Sequence, residues 1–347
     1  MTDMTPRERV LETFRFRPTD RPACDLMEGT VWPALEEYFR KRHGLRTVAE
    51  IQAHLGADLR WTAVRNRNAE RPASARRAAT PPPAKQTFQV AHGPLAAAET
   101  VAEVEAYAWP DPADFVPPDF AALRLEYPDH AIAFLCGWKP LFWGSCDAFG
   151  VEEALIKMKL NPAVYEAFLR IRSDFMADVL DRCLAAGEGL CDICWLGDDF
   201  ASQQAMMLSP DDWRRFIKPH VARQVAIAHR HGMLALHHSC GAIRPVIGDF
   251  IDIGCDGLLV FQTNAAGMDP ESIAREFGGR ILFYGGIDVQ QLLSFGTPAQ
   301  VRAEVRRNLR AFAERGGYIV SNSHHCVDSI RGDLMEAMFE AAREFPE

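Results

Sequence analysis

No stretch of about 18 consecutive apolar residues occurs in this sequence, so a helical membrane span is not expected. The amino-terminal MTDMTPRERVLETF carries charges where a secretory signal needs an apolar core, and a soluble, cytoplasmic protein is the expectation. Positive charge is scarce: 38 Lys and Arg stand against 47 Asp and Glu, a formal net charge of −9. Neither a nucleic acid nor an anionic membrane would be drawn to such a chain. The nine cysteines are odd in number and scattered, which is no pattern for a disulfide framework. Cys136, Cys183 and Cys255 lie in apolar or helical surroundings and read as core. CDIC (191–194) has no second C-x-x-C, and positions three apart on a strand face opposite sides, so it reads mainly as core too. No G-x-G-x-x-G follows any candidate strand, so the dinucleotide fingerprint is missing.

What the chain does have is a rhythm. Short apolar runs recur at AIAFLC (131–136), LCDICWL (190–196), MLALHH (233–238), DGLLVFQ (256–262), RILFYGG (280–286) and GYIVSNS (317–323). Between them lie segments of helical period, such as 209–232 and 297–317. Strands alternating with helices predict a parallel sheet. Six units, with room for two more upstream, favour a closed (β/α)8 TIM barrel over an open doubly wound sheet. One barrel domain over 1–347 is expected, with amino-terminal additions. Thr5 and Pro6 predict a capped first helix. The Pro-, Ala- and Arg-rich stretch 66–86 reads as an exposed loop, and 92–115 as one helix followed by a proline-marked turn.

Polar clusters follow the strands: GDDF (197–200), HHSCG (237–241), QTN (262–264), GGID (285–288) and SNSHHC (321–326). In a barrel those strand ends form one face, where active sites are built. Polar loops alone would explain any one cluster, but not the return of His and Cys in two. Alternation along LALHHSC puts His238 and Cys240 on one side and His237 and Ser239 on the other. A His and a Cys so placed supply two ligands to a tetrahedral zinc, and Cys326 offers a third, with His324 and His325 competing for that role. Asp198 and Asp199 offer one carboxylate to orient a histidine or polarise substrate, and another to cap a helix. Trp138, Phe142 and Trp143 form either an aromatic wall for a flat ligand or part of the core.

The segments LGDDFASQQAMMLSPDDWRRFIKPH, HHSCGAIRPVIGDFIDIGCDGLLVFQ and GGIDVQQLLSFGTPAQVRAEV resemble the uroporphyrinogen decarboxylase superfamily over roughly 90–345. Within it they are closer to the cobamide-dependent methyltransferases than to the decarboxylases. The resemblance implies a (β/α)8 barrel, and a zinc held by His238, Cys240 and a late cysteine near Cys326, whose place His324 or His325 can take. It implies a zinc-dependent methyl transfer between a small methylated donor, with an aryl methyl ether favoured, and the cobalt of a corrinoid. The chain has no D-x-H-x-x-G corrinoid signature, so the corrinoid is expected on a partner protein. Asp198, Asp199 and His325 are the candidate catalytic groups; Trp138, Gln203, Gln262 and Asp288 are the candidate substrate-binding groups. The rival readings are a porphyrinogen decarboxylase, for which RFRPTDRP makes a poor arginine-rich loop, and a non-catalytic barrel that binds metal or tetrapyrrole. A homodimer is left open.

Overall fold

The computed structural model describes residues 3–70, 93–136, 140–325 and 328–345. Seven parallel strands form one curled sheet: β1 (Leu59–Ala63), β2 (Ala131–Leu135), β3 (Ile193–Gly197), β4 (Leu234–His238), β5 (Gly257–Phe261), β6 (Leu282–Ile287) and β7 (Tyr318–Asn322). Each strand pairs with the next in sequence, so the order never reverses. A doubly wound sheet would need a reversal.

The eighth position is filled by only three residues. Cys24 bridges Val320 of β7 in parallel fashion. The Asp25 amide donates to the Val320 carbonyl and the Val320 amide to the Ala23 carbonyl, each at 3.0 Å. On the other side, the Asp58 amide donates to the Cys24 carbonyl at 2.9 Å. Residues 23–25 therefore close the seam between β7 and β1, and the fold is of the TIM-barrel type.

Inward-facing side chains, among them Leu59, Ala131, Ile193, Trp195, Leu236, Leu282 and Ile319, fill the barrel, while a larger apolar cluster packs the helices outside it. The helix Pro6–Phe14 starts with a reciprocal Thr5–Glu8 capping box and Pro6 in its first turn. It plugs the end of the barrel from which the strands start, because Val10 and Phe14 join the interior cluster. Each such side chain contributes about 1.5–3 kcal/mol by leaving water. A repeated device stitches this end. Asp58, Asp192 and Asp256 each immediately precede a strand and accept from the amide of Cys24, Ile132 and Ala235, respectively, on the neighbouring strand or seam. Arg9 and Arg21 pair with Asp58, and Arg7 and Arg124 with Asp192, so these carboxylates are buried with partners.

Outside the barrel the expectations need adjustment. Arg65–Asn66 pairs antiparallel with Phe115–Val116, and Arg67–Glu70 is a helical turn, so the stretch predicted as a loop begins with regular structure; its residues 71–86 lie outside the described ones. In 92–115 the helix is confined to Val101–Glu105, started by a Thr100–Glu103 capping box. The long helical segment 209–232 contains a π-turn at Trp213–Ile217 just before Pro219, which has no amide hydrogen to continue an α-helical ladder. Among the described residues no helix is long and apolar enough to cross a membrane.

Candidate metal centre

The site forms where β3, β4 and β7 end. His237 and His238 point to opposite sides of β4. His237 stacks outward on Phe250, with ring centroids 4.8 Å apart, while His238 turns inward against Trp195 at 5.5 Å. Beyond the strand, Cys240 returns to the His238 side, and its Sγ lies 3.7 Å from His238 Nε2. His324, in the loop after β7, completes a group: one ligand atom from each of His238, Cys240 and His324 lies within 4.8 Å of the other two. Gly241 lets this happen. Its φ is +85°, and a Cβ there would stand 2.3 Å from the Ser202 carbonyl oxygen, so only glycine allows the β4 loop to pass so close to the β3 loop.

Glu28 stands behind the histidines, and nothing in the sequence reading pointed to it. It is buried and follows the seam segment. One carboxylate oxygen lies 3.0 Å from His238 Nδ1 and the other 2.8 Å from His325 Nε2. Its backbone is left-handed (φ 53°, ψ 24°), an uncommon conformation for a residue with a side chain. Asn322 holds the two loops together: its Oδ1 accepts from the Met27 amide, and its Nδ2 donates to the His324 carbonyl at 2.6 Å. A carboxylate ending the apolar run ACDLM was the available signal for Glu28, but a lone acidic residue in one sequence carries little weight.

The charges suit a cation. Burial alone would raise the Glu28 pKa, yet hydrogen bonds from His238 and His325 outweigh it and hold the carboxyl well below its usual range. Burial opposes charge on His238, but Glu28 and Asp199 raise its pKa. His324 is pushed down to about 4 by burial and by the two neighbouring histidines, which keeps it neutral and able to ligate. The Cys240 thiol is pushed far up by burial and then by Asp199, so without a metal it stays protonated. A bound divalent ion reverses that last preference, since a coordinating thiol is deprotonated.

The residues fit zinc. Zn–S near 2.3 Å and Zn–N near 2.0–2.1 Å at a tetrahedral angle span roughly 3.6 Å between ligand atoms. The His238–Cys240 separation of 3.7 Å matches this span. The donor set His, Cys, His is one that zinc accepts. Glu28 on Nδ1 leaves Nε2 as the ligating nitrogen of His238, the usual carboxylate–histidine support of a metal site.

The other predicted residues have diverse places. Asp199 accepts from the Cys240 amide at 2.8 Å and lies 3.7 Å from His238 Nε2. Asp198 is buried and accepts from the amides of Phe142 and Trp143, so it caps the helix Phe142–Phe149; burial raises its pKa to about 7. Gln262 accepts from the Gly241 amide and supports the ligand loop. Asp288 caps its own turn through the amides of Gln290 and Gln291, and Gln203 bonds Gln290. Phe142 is fully buried, which makes it core. His325 pairs with Glu28 and is not one of the three converging side chains. Trp138 and Cys326 lie outside the described residues.

Below the site, Asp25 accepts from Trp61 Nε1 at 2.7 Å and from the Tyr284 hydroxyl at 2.6 Å. The family model for uroporphyrinogen decarboxylase (URO-D) matches residues 146–345, which carry β3 to β7 with His238, Cys240 and His324. The chain belongs to the uroporphyrinogen decarboxylase family. A methyltransferase from Methanosarcina mazei has a similar structure, with 18% identity, 99% of each chain covered and a TM-score of 0.65. At that identity the likeness shows the shared fold. A 3-keto-D-glucoside 4-epimerase from E. coli (10% identity, 64% of this chain and 84% of that one, TM-score 0.39) and a D-psicose 3-epimerase (12%, 91% and 93%, 0.38) are more distant. No curated protein matches the sequence significantly.

Proposed function

We propose that this family member is a zinc-dependent, cytoplasmic methyltransferase that moves a methyl group between a small methylated donor and the cobalt of a corrinoid on a partner protein. The observation that carries this reading is the convergence of His238, Cys240 and His324 at the barrel mouth, with Glu28 behind His238. The name of the M. mazei structure agrees with it. Bound there, zinc would supply a Lewis acid for the heteroatom that carries the methyl group. The chain's own residues have separate tasks. Glu28 fixes the His238 tautomer, Asp199 holds the Cys240 backbone and keeps a carboxylate beside the ligands, and Gly241 and Gln262 set the loop. An aryl methyl ether is the favoured donor.

The decarboxylase reading has less support. Among the described residues, Arg7, Arg9 and Arg21 pair with aspartates at the plugged end of the barrel, opposite the mouth. They make no cradle for an acidic porphyrinogen there, and the His–Cys–His group would have no use in that reaction.

The test has two arms. Metal content is measured on the purified protein, and methylation of a reduced corrinoid is followed spectrally while methyl donors are screened. The expected result is about one zinc at this site and donor-dependent methylation, both lost in Cys240→Ala. Full turnover by metal-free Cys240→Ala protein would refute the zinc mechanism.

A further inference from the structure

Three helices outside the barrel bring a second group of ligating side chains together. Helix Pro33–His43 ends in His43, helix Val48–Leu55 carries His54 in its last turn, and helix Gly332–Arg343 carries Glu336. His43 Nε2 lies 2.6 Å and His54 Nε2 3.2 Å from the same oxygen, Glu336 Oε1. The two imidazole rings are 4.3 Å apart, centroid to centroid. The three ligand atoms lie within 4.8 Å of one another.

The carboxylate is aimed. The Tyr38 hydroxyl donates to the other oxygen, Glu336 Oε2, at 2.7 Å. Tyr38 reaches it by lying on Gly332, one helical turn before Glu336; a Cβ at 332 would sit 2.0 Å from the Tyr38 ring, so glycine is required for the approach. With Oε2 occupied, Oε1 is left to face both histidines. The His43 and His54 side chains are 27% and 34% exposed and Glu336 is 19% exposed, so an ion can enter from solvent.

We infer that His43, His54 and Glu336 form a second divalent-metal site, which takes Zn2+ or a similar first-row ion and staples the amino-terminal helical hairpin to the carboxy-terminal helix. Two nitrogens and one carboxylate oxygen are a ligand set such ions accept. Tetrahedral zinc needs roughly 3.4 Å between N and O ligands. The His54 distance is already close, and His43 must withdraw by less than about 1 Å. Tyr38 then acts as the outer partner that orients the carboxylate. The fourth position is left to water, and the exposed setting and the absence of any residue shared with the mouth group make the role structural. This inference does not depend on the methyltransferase reading.

The test uses the full chain, stripped of metal and titrated with Co2+ and then Zn2+. Cobalt at the mouth site carries a thiolate charge-transfer band from Cys240, whereas cobalt on His43, His54 and Glu336 shows only weak ligand-field bands. The Cys240→Ala protein is expected to take up about one equivalent of cobalt with no thiolate band. The double variant His43→Gln/His54→Gln should lose that equivalent and keep any thiolate band of the parent. Zinc should raise the melting temperature of Cys240→Ala and leave that of the triple variant Cys240→Ala/His43→Gln/His54→Gln unmoved. Equal melting temperatures of the two proteins in chelator show that the substitutions preserve the fold; if they differ, Glu336→Gln in the Cys240→Ala background supplies the same comparison. Band-free cobalt uptake that, in the Cys240→Ala background, survives loss of both histidines or needs millimolar metal would overturn the inference.

Discussion

Glu28 and His238 are 210 positions apart in the chain, yet their side chains meet at 3.0 Å in a buried ion pair. The pair joins the segment that closes the barrel to the strand that ends in His238. Glu28→Gln should therefore keep the protein folded but weaken zinc at the mouth by roughly 10- to 100-fold, as loss of an outer-shell carboxylate does. Competition against a chromophoric chelator measures it. An unchanged affinity would show that Glu28 has no part in the site.

In the proposed zinc site, Cys240→Ala removes a ligand outright. Its loss of zinc affinity at the mouth should exceed that of Glu28→Gln, and the thiolate band of the cobalt-substituted protein should vanish. Absorption spectra of the two variants, side by side, provide the check. Retention of the band in Cys240→Ala would assign it to another cysteine.

Asp198 and Asp199 should separate cleanly. Asp198→Ala leaves one buried and one part-buried amide without an acceptor, at about 1–3 kcal/mol for the buried one, so thermal unfolding should move downward. Asp199→Asn should keep stability and metal while slowing methyl transfer, because its carboxylate lies beside His238 and keeps an oxygen for the Cys240 amide. Single-turnover kinetics and thermal melts on both variants would expose a reversed assignment.

His237 predicts an acid sensitivity. It is fully buried against Phe250, its Nδ1 has no partner among the described residues, and burial together with His238 pushes its pKa from 6.5 down to about 3. Below pH 6.5 the unfolded chain takes up a proton that the native state refuses until about pH 3. Stability from this group is thus fully present above 6.5 and falls through that window, by up to about 1.4 kcal/mol per pH unit. His237→Phe should flatten this part of the stability profile in denaturant titrations at stepped pH. A profile identical to that of the parent would show that other groups carry the acid response.

Much of the barrel is legible in the sequence, because each inner strand is a local signal. The runs at 131–136, 233–238 and 317–323 coincide with β2, β4 and β7 to within a residue at either end. The same local logic places His238 and Cys240 on one side, since alternation along a strand needs no knowledge of the rest of the chain. The seam at residues 23–25 is not legible. Three residues are too few to show a period, and their pairing with β7 is fixed by the closed geometry of the barrel. Glu28 escapes for the same reason, as its meaning lies in partners some 200 and 300 positions away. The role of Asp198 is half legible: a helix cap can be expected, but it caps a helix that precedes it in the chain by more than fifty residues.

The three-residue seam has a consequence for biosynthesis. Val320 is made nearly 300 residues after the segment 23–25 that it pairs with, so a growing chain must carry an unsealed sheet until β7 has emerged. Glu28 cannot meet His325 before that moment, and His324 reaches His238 only when the final strand docks. Assembly of the mouth group must then wait for the loop after β7, and a truncated product ending before β7 would be open-edged and without His324.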